Sequence, residues 1–403
     1  MDRLKDKFTR LGVDNAPGQE GLKEGENLRF LGEKIPGTPV DFSHGDVDAF
    51  EPIPGALDTF ITGVQSGGVQ AYTEYRGKNR IREDLSRKIS SFTGSEIFAD
   101  SQIIITPGTQ GALFLAMGSL IGAGDRVAIV EPDYFANRKI AEFFEAQIVT
   151  ITLSYMDTEG RAGLNFTQLE EAFKSGVKVF LFSNPNNPTG VIYSSEEIRK
   201  IAVLAKKYCV SIIADELYSR QIFDGRIYTH LCAQNDKPEN LITIMGPSKT
   251  ESLSGYRLGV AFGTSAIISR MEKLQAIVSL RAGGYSQAVL DLWFNEPQGW
   301  MQERITAHQQ IRDDLLALLR SVEGVKVRTT EAGSYLFAQL PELTVSIEDF
   351  VKVLRRQAFV TVTPGTEFGV RCTRSFRINF SQDRTEAVDA INRTIAIIER
   401  YRK

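Results

Sequence analysis

Between residues 102 and 263, short apolar runs alternate with helical stretches, and this alternation leaves few architectures open to the chain. "QIIIT" (102–106) precedes "TQGALFLAMGSL" (109–120), "RVAIV" (126–130) precedes "YFANRKIAEFFEA" (134–146), and "VKVFLFS" (177–183) precedes "SSEEIRKIAVLAKKY" (194–208). "VSIIADEL" (210–217), "LITIMG" (241–246) and "LGVAFG" (258–263) follow. Apolar runs this short, without polar alternation, read as strands buried on both faces. The helices between them predict an α/β fold with a largely parallel sheet. Ligands of such sheets bind at the carboxyl ends of the strands. The "SSEE" start of the third helix is an N-cap followed by first-turn acids.

The flanks have a different texture. Residues 1–40 are polar and rich in glycine and charge, and read as an arm with little core of its own. "WMQERITAHQQIRDDLLALLRSV" (300–322) is a long amphipathic helix. "GSYLFAQL" (333–340), a helix near 348–357, "FVTVTPG" (359–365), "SFRINF" (375–380) and a last helix over 384–400 read as a small α+β unit. The expected division is an arm and part of the small domain at 1–45, a large domain at 46–288 and a small domain at 289–403.

A formal net charge of −3 gives no basic face for nucleic acid. Cys209, Cys232 and Cys372 form no CxxC pair, and His44, His230 and His308 are scattered, so neither a disulfide framework nor a metal site is expected. The charged start "MDRLKDKFTRLG" has no apolar h-region, and no apolar run is long enough for a membrane helix. A cytoplasmic protein is expected.

Five motifs fall near strand ends. "TPGTQGAL" (106–113) turns at Gly108 into a helix start at Thr109, where free N–H groups can bind an anion or simply close a turn. "SNPNNPTG" (183–190) forces an irregular loop that presents the Asn187 amide, either to a ligand or in an Asx-turn. In "IIADELYS" (212–219), Asp215 ends an apolar strand and needs a cationic partner such as a protonated pyridine nitrogen, unless it caps a helix. Tyr218 then faces the same place or packs in the core. In "MGPSKTESLSGYRLGVAFG" (245–263), Lys249 can hold a carbonyl cofactor and Arg257 a phosphate, with Gly255 and Gly259 admitting close backbone approach. In "SFRINFS" (375–381), Arg377 faces inward towards an anion or outward to solvent.

In this order and at these spacings, Asn187, Asp215, Tyr218, Lys249, Arg257 and Arg377 resemble the class I/II aminotransferases, pyridoxal-phosphate enzymes of fold type I. "AYTEYRGKNRIREDL" (71–85) is similar to another element of that family, and the resemblance spans roughly residues 40–400. It implies a large domain with a mixed, mostly parallel, seven-stranded sheet flanked by helices, plus a small α+β domain. It implies transfer of the α-amino group of an L-amino acid to a 2-oxo acid. Lys249 would join the cofactor aldehyde covalently and then move the Cα proton. Asp215 would pair with the pyridine nitrogen, while Tyr218 and Asn187 would hydrogen-bond the ring oxygen. Gly108, Thr109, Ser248 and Arg257 would cradle the phosphate, with Gln110 beside it, and Tyr134 would stack on the ring. Arg377 would clamp the substrate carboxylate. Tyr72 would reach the phosphate of a neighbouring subunit, which implies a homodimer with shared sites.

Two positions depart from the family pattern. "FSHGDVDAF" (42–50) carries Val47 where many members have proline, with His44 just before the glycine. His44 then contacts substrate, or is a partly buried histidine bonded to backbone. Some relatives use the scaffold to oxidise or cyclise arginine-like amino acids, which is the alternative activity. Gly246 replaces a phosphate-binding serine three residues before the lysine. Arg281, in "SLRAGGYSQ", sits near where some members place an arginine for an acidic side chain, or it belongs to a dimer interface. A dinucleotide site is disfavoured, because "GSLIGAG" (118–124) follows a helix and precedes a strand, the reverse of that fingerprint. A ligand-sensing regulator is disfavoured because no basic helix-turn-helix fits the N-terminal arm.

Overall fold

The computed structural model describes residues 3–12, 28, 30–44, 49–66, 72–156, 158 and 160–403. Its strands are β1 (Val40–Asp41), β2 (Ile103–Pro107), β3 (Arg126–Glu131), β4 (Gln147–Thr152), β5 (Val179–Ser183), β6 (Ser211–Asp215), β7 (Leu241–Met245) and β8 (Leu258–Gly263). Then follow β9 (Tyr335–Gln339), β10 (Val360–Thr361), β11 (Thr363–Pro364) and β12 (Ser375–Asn379). A seven-stranded sheet runs in the order β2-β8-β7-β6-β5-β3-β4. Only β8 is antiparallel to its neighbours, β2 and β7. The other pairings are parallel. This is the mostly parallel α/β sheet that the apolar runs predict.

Alternation along each strand divides the core between the two faces of the sheet. Ile103 and Ile105 join one buried cluster with Val130, Phe180, Phe182 and Ile212. Ile104 joins the other with Val127, Ile129, Leu181 and Ile213. Each such side chain, fully buried, contributes roughly 1.5–3 kcal/mol. The helix Ser195–Lys207 starts with a reciprocal capping box between Ser194 and Glu197, as "SSEE" predicts.

The sheet contains one strand that the sequence reading lacks, β4. It lies at the edge, its side chains are mostly half-buried or exposed, and its sequence QIVTIT has no continuous apolar run. The helix predicted over 134–146 is shorter, Phe135–Phe143. The helix predicted near 348–357 is α-helical over Ile347–Val353 and widens to a π turn over Leu354–Ala358.

A third buried cluster joins Val40 and Phe42 to residues from Ile311 to Tyr401. There β1 pairs in parallel with β10, and β11, β12 and β9 form a small antiparallel sheet. The chain thus returns from residue 40 to the C-terminal unit, and this places Ser43 beside β12.

Candidate active site

The parallel strands end at one edge, and the motifs come together there. Thr109 and Gln110 follow β2, Tyr134 follows β3, Asn187 follows β5, Asp215 ends β6, and Ser248 and Lys249 follow β7. Because β8 runs the other way, the residue before it, Arg257, lies at this same edge. All of these side chains line one cavity of about 270 Å³, together with Tyr218, His44 and Arg377.

Gly108 shapes one wall. Its φ of +76° is left-handed, and a Cβ there would lie 2.5 Å from Nη2 of Arg257. Gly259 packs against this turn so closely that its Cβ would meet the Gly108 carbonyl carbon at 2.3 Å. Gly255 differs from the sequence expectation: a Cβ there meets nothing within 4 Å, so no close approach requires it. The helix Gly108–Leu120 has no side-chain N-cap and no acid in its first turn. Its free N–H groups and the adjacent guanidinium form an anion cradle. Gly246 also has a spatial reason. A side chain there would strike the Thr109 methyl at 2.8 Å, so serine does not fit at this position. Ser248 is buried beside it, its hydroxyl donating to the Leu258 carbonyl at 3.3 Å.

Asp215 accepts one backbone hydrogen bond, from Leu217 N at 3.1 Å. Among the described residues no cationic side chain pairs with it, and desolvation raises its pKa to about 6. Tyr134 donates to Gln110 Oε1 at 3.0 Å. Asn187 makes no Asx-turn. That work falls to Asn186, whose Oδ1 accepts from Thr189 N and Oγ1, so the Asn187 amide points elsewhere.

It meets Arg377, which is only 3% exposed and faces inward. Nη1 donates to Asn187 Oδ1 at 3.0 Å and Nη2 to the Ser43 carbonyl at 2.5 Å, while buried Nε has no partner. The guanidinium lies between the Tyr335 and Phe368 rings, 4.4 and 4.7 Å from their centroids. A buried cation held only by neutral groups favours an incoming carboxylate.

His44 is exposed at the cavity rim, not partly buried. Its Nδ1 lies 3.1 Å from Ser43 Oγ and 3.7 Å from Asp41 Oδ2. Val47 lies outside the described residues. Tyr72 is 69% exposed, and the Arg281 guanidinium lies 4.3 Å from its ring and 4.6 Å from that of Tyr75. Among the described residues neither Tyr72 nor Arg281 lines the cavity.

Two residues that matter here went unread in the sequence. Tyr335 lines the cavity with its hydroxyl 2.5 Å from that of Tyr218. Asp133, 2% exposed, binds the Ser183 hydroxyl, Ser183 N at 3.2 Å and Tyr134 N at 2.7 Å, so it ties the loops after β3 and β5 together. Burial lifts its pKa to about 8. Replacing Asp133 with alanine strands these donors, and a loss of about 2–4 kcal/mol is expected in urea unfolding of the cofactor-free protein.

The cavity fits pyridoxal phosphate charge for charge. Among the described residues Asp215 pairs with no cation and the helix start and Arg257 with no anion, and Lys249 opens on the same space. Among the described residues there is no cluster able to hold a metal ion, and no helix is long and apolar enough to cross a membrane.

Residues 39–393 match the family described as aminotransferase class I and II. The chain is 59% identical to an aspartate aminotransferase of solved structure from Rhodobacter sphaeroides 2.4.1, covering 99% of this chain and 100% of that one, with a TM-score of 0.94. It is 26% identical over 337 residues to the aspartate aminotransferase of Sulfurisphaera tokodaii, covering 82% of this chain and 83% of that protein. It is also 26% identical over 408 residues to that of Musicola paradisiaca, covering 100% and 98%. The match in sequence and fold extends over nearly the whole length, and the chain belongs to the class I and II aminotransferases: it is a pyridoxal-phosphate-dependent enzyme of fold type I that moves an α-amino group from an amino acid to a 2-oxo acid.

Proposed function

We propose that the amino donor is an acidic amino acid of the aspartate type and that the residues gathered in the cavity have the following roles. When bound, pyridoxal phosphate supplies an electron sink for the carbanion left as Cα loses its proton. Lys249 holds the cofactor covalently and, once released, its amine takes the Cα proton and returns it. Asp215 keeps the ring nitrogen charged. Thr109, Gln110, Ser248, Arg257 and the turn at Gly108 hold the phosphate, Tyr134 covers the ring, and Tyr218 and Asn187 bond its oxygen. Arg377 binds the substrate α-carboxylate with N–H groups beyond the two spent on Asn187 and Ser43. His44 closes the rim over the substrate.

The observation that carries this reading is the buried Arg377, paired with no anion among the described residues, opening on the same cavity as Lys249. The names of the relatives support an acidic donor. An arginine-like substrate would need a further carboxylate, and among the described lining residues Asp215 is the sole one. The test is a panel of amino acids added to the purified holoenzyme. Aspartate should bleach the cofactor's visible band, and a 2-oxo acid should restore it. Oxygen uptake with a cationic amino acid would overturn the reading.

The enzyme works as a homodimer in this proposal, in the cytoplasm, where Cys209, Cys232 and Cys372 stay unpaired. The outward Tyr72 crosses to the partner's phosphate site, and Arg281, stacked on it, supplies the cation for the distal carboxylate. Exposed Leu57, Ile61, Ile277 and Val278 are apolar surface for a second copy to cover. Arg281→Ala should raise KM for aspartate by about 10–100-fold while changing KM for alanine little, as expected from removing one partner of a charged pair. Equal losses on both substrates would restrict Arg281 to the interface. Mixing Tyr72→Phe with Lys249→Ala subunits should give heterodimers whose one active site binds the cofactor more tightly than the Tyr72→Phe homodimer does, because that composite site carries both native residues.

A further inference from the structure

We propose that Tyr335 is a positioning residue that links the carboxylate-binding Arg377 to Tyr218, and through Tyr218 to the cofactor. The inference rests on the role given above to Tyr218. Register places the pieces together: Tyr335 pairs with Asn379 and Phe337 with Arg377, so Tyr335 and Arg377 are diagonal neighbours on one face of the β9–β12 pair. The guanidinium sits 4.4 Å from the Tyr335 ring centroid. The Tyr335 and Tyr218 rings meet edge to face, with centroids 5.4 Å apart and planes at 81°, and their oxygens are 2.5 Å apart. Both residues are buried, at 5% and 4% exposure, and both line the cavity. The Tyr335 carbonyl accepts from Thr330 Oγ1 at 2.5 Å, which fixes the strand beneath the ring.

Two buried phenols this close share one hydrogen bond, so one donates and the other accepts. The guanidinium over the Tyr335 face draws electron density from the ring and polarises its O–H bond, which favours Tyr335 as the donor of the pair. Tyr335 therefore donates to Tyr218, and the Tyr218 hydrogen is left for the cofactor oxygen. A carboxylate landing on Arg377 neutralises the cation, weakens the Tyr335 donor and so loosens Tyr218 from the cofactor. Substrate arrival at one end of the cavity is thereby felt at the other. His44, Tyr134, Asp215, Lys249 and Arg257 also face this space and are unchanged in the variants below.

Tyr335→Phe removes the hydroxyl and keeps the ring beneath Arg377. The readout is the pH midpoint of the bound cofactor's visible absorption band, with KM and kcat measured alongside. Without its support Tyr218 donates less, the cofactor oxygen keeps more negative charge, and the neighbouring proton is held more tightly. The midpoint should rise by about half a unit to one unit, the worth of a typical hydrogen bond. KM for the amino acid should stay within about threefold, whereas Tyr335→Leu, which removes the ring, should raise it about tenfold. Tyr218→Phe is the reference and should shift the midpoint further in the same direction. If Tyr218→Phe shifts it and Tyr335→Phe does not, the link is overturned. A downward shift in Tyr335→Phe means that Tyr218 donates to Tyr335, which also overturns it. If neither variant moves the midpoint, the contact assigned to Tyr218 fails, and this inference fails with it.

Discussion

The Lys249→Ala enzyme is expected to lose transamination by at least about 10²–10⁴-fold, the usual contribution of a positioned general base. Loss of covalent attachment adds to this. The phosphate cradle proposed for Arg257, Ser248 and the uncapped helix at Gly108 is untouched, so on that reading the variant should still retain the cofactor through a gel-filtration column. Removing the side chain opens space in the cavity that Lys249 lines. A small primary amine such as methylamine should enter that space and restore part of the rate, increasing with amine concentration. Stopped-flow absorbance checks this directly. A variant that turned over at the wild-type rate would remove Lys249 from the chemistry altogether.

The second large effect is expected from Asp215→Asn. If Asp215 pairs with the ring nitrogen as proposed, the cofactor-bound variant leaves a ring cation without its carboxylate. Breaking a buried pair costs about 3–5 kcal/mol, so kcat should fall by about 10²–10³-fold. Without cofactor the sign reverses. Desolvation raises the Asp215 pKa from 3.8 to about 6. Its charged form is therefore a burden on the folded cofactor-free protein. The burden is fully present above the folded value, shrinks as pH falls through about 6, and is gone below the unfolded value. Cofactor-free Asp215→Asn should accordingly melt above cofactor-free wild type at pH 8, with the gap roughly halved at pH 5 and closed only below about pH 4. Adding pyridoxal phosphate should reverse the order, because only the wild type gains an ion pair. Thermal melts at two pH values, with and without cofactor, read all four states.

Much of this site was legible because its residues follow apolar runs. Thr109, Tyr134, Asn187, Asp215 and Lys249 each lie at or just after a strand that declares itself by composition, and parallel strands bring their ends to one edge. The direction of β8 was not legible, since an apolar run reads the same both ways; yet that direction brings Arg257 to the cavity. β4 escaped notice because an edge strand needs only one good face. Tyr335 and Asp133 escaped for a different reason. Their significance lies in partners far along the chain, Tyr218 and Arg377 for one and Ser183 for the other. No local pattern encodes such pairs. Gly246 was visible as a departure, but its cause, the Thr109 methyl, required the packed sheet.

The reversed strand also governs how the lysine segment moves. Residues 246–257 form the connection of an antiparallel pair, clasped at its base by Met245 with Val260 and Ile244 with Ala261. Both ends of the segment are anchored in paired interior strands of the sheet, which restrains it from swinging out as a flap. On warming or in dilute denaturant, amides at 244–245 and 260–261 should exchange with deuterium among the slowest in the molecule. Lys249 would then keep its place until the whole sheet gives way, and inactivation by heat should coincide with global melting.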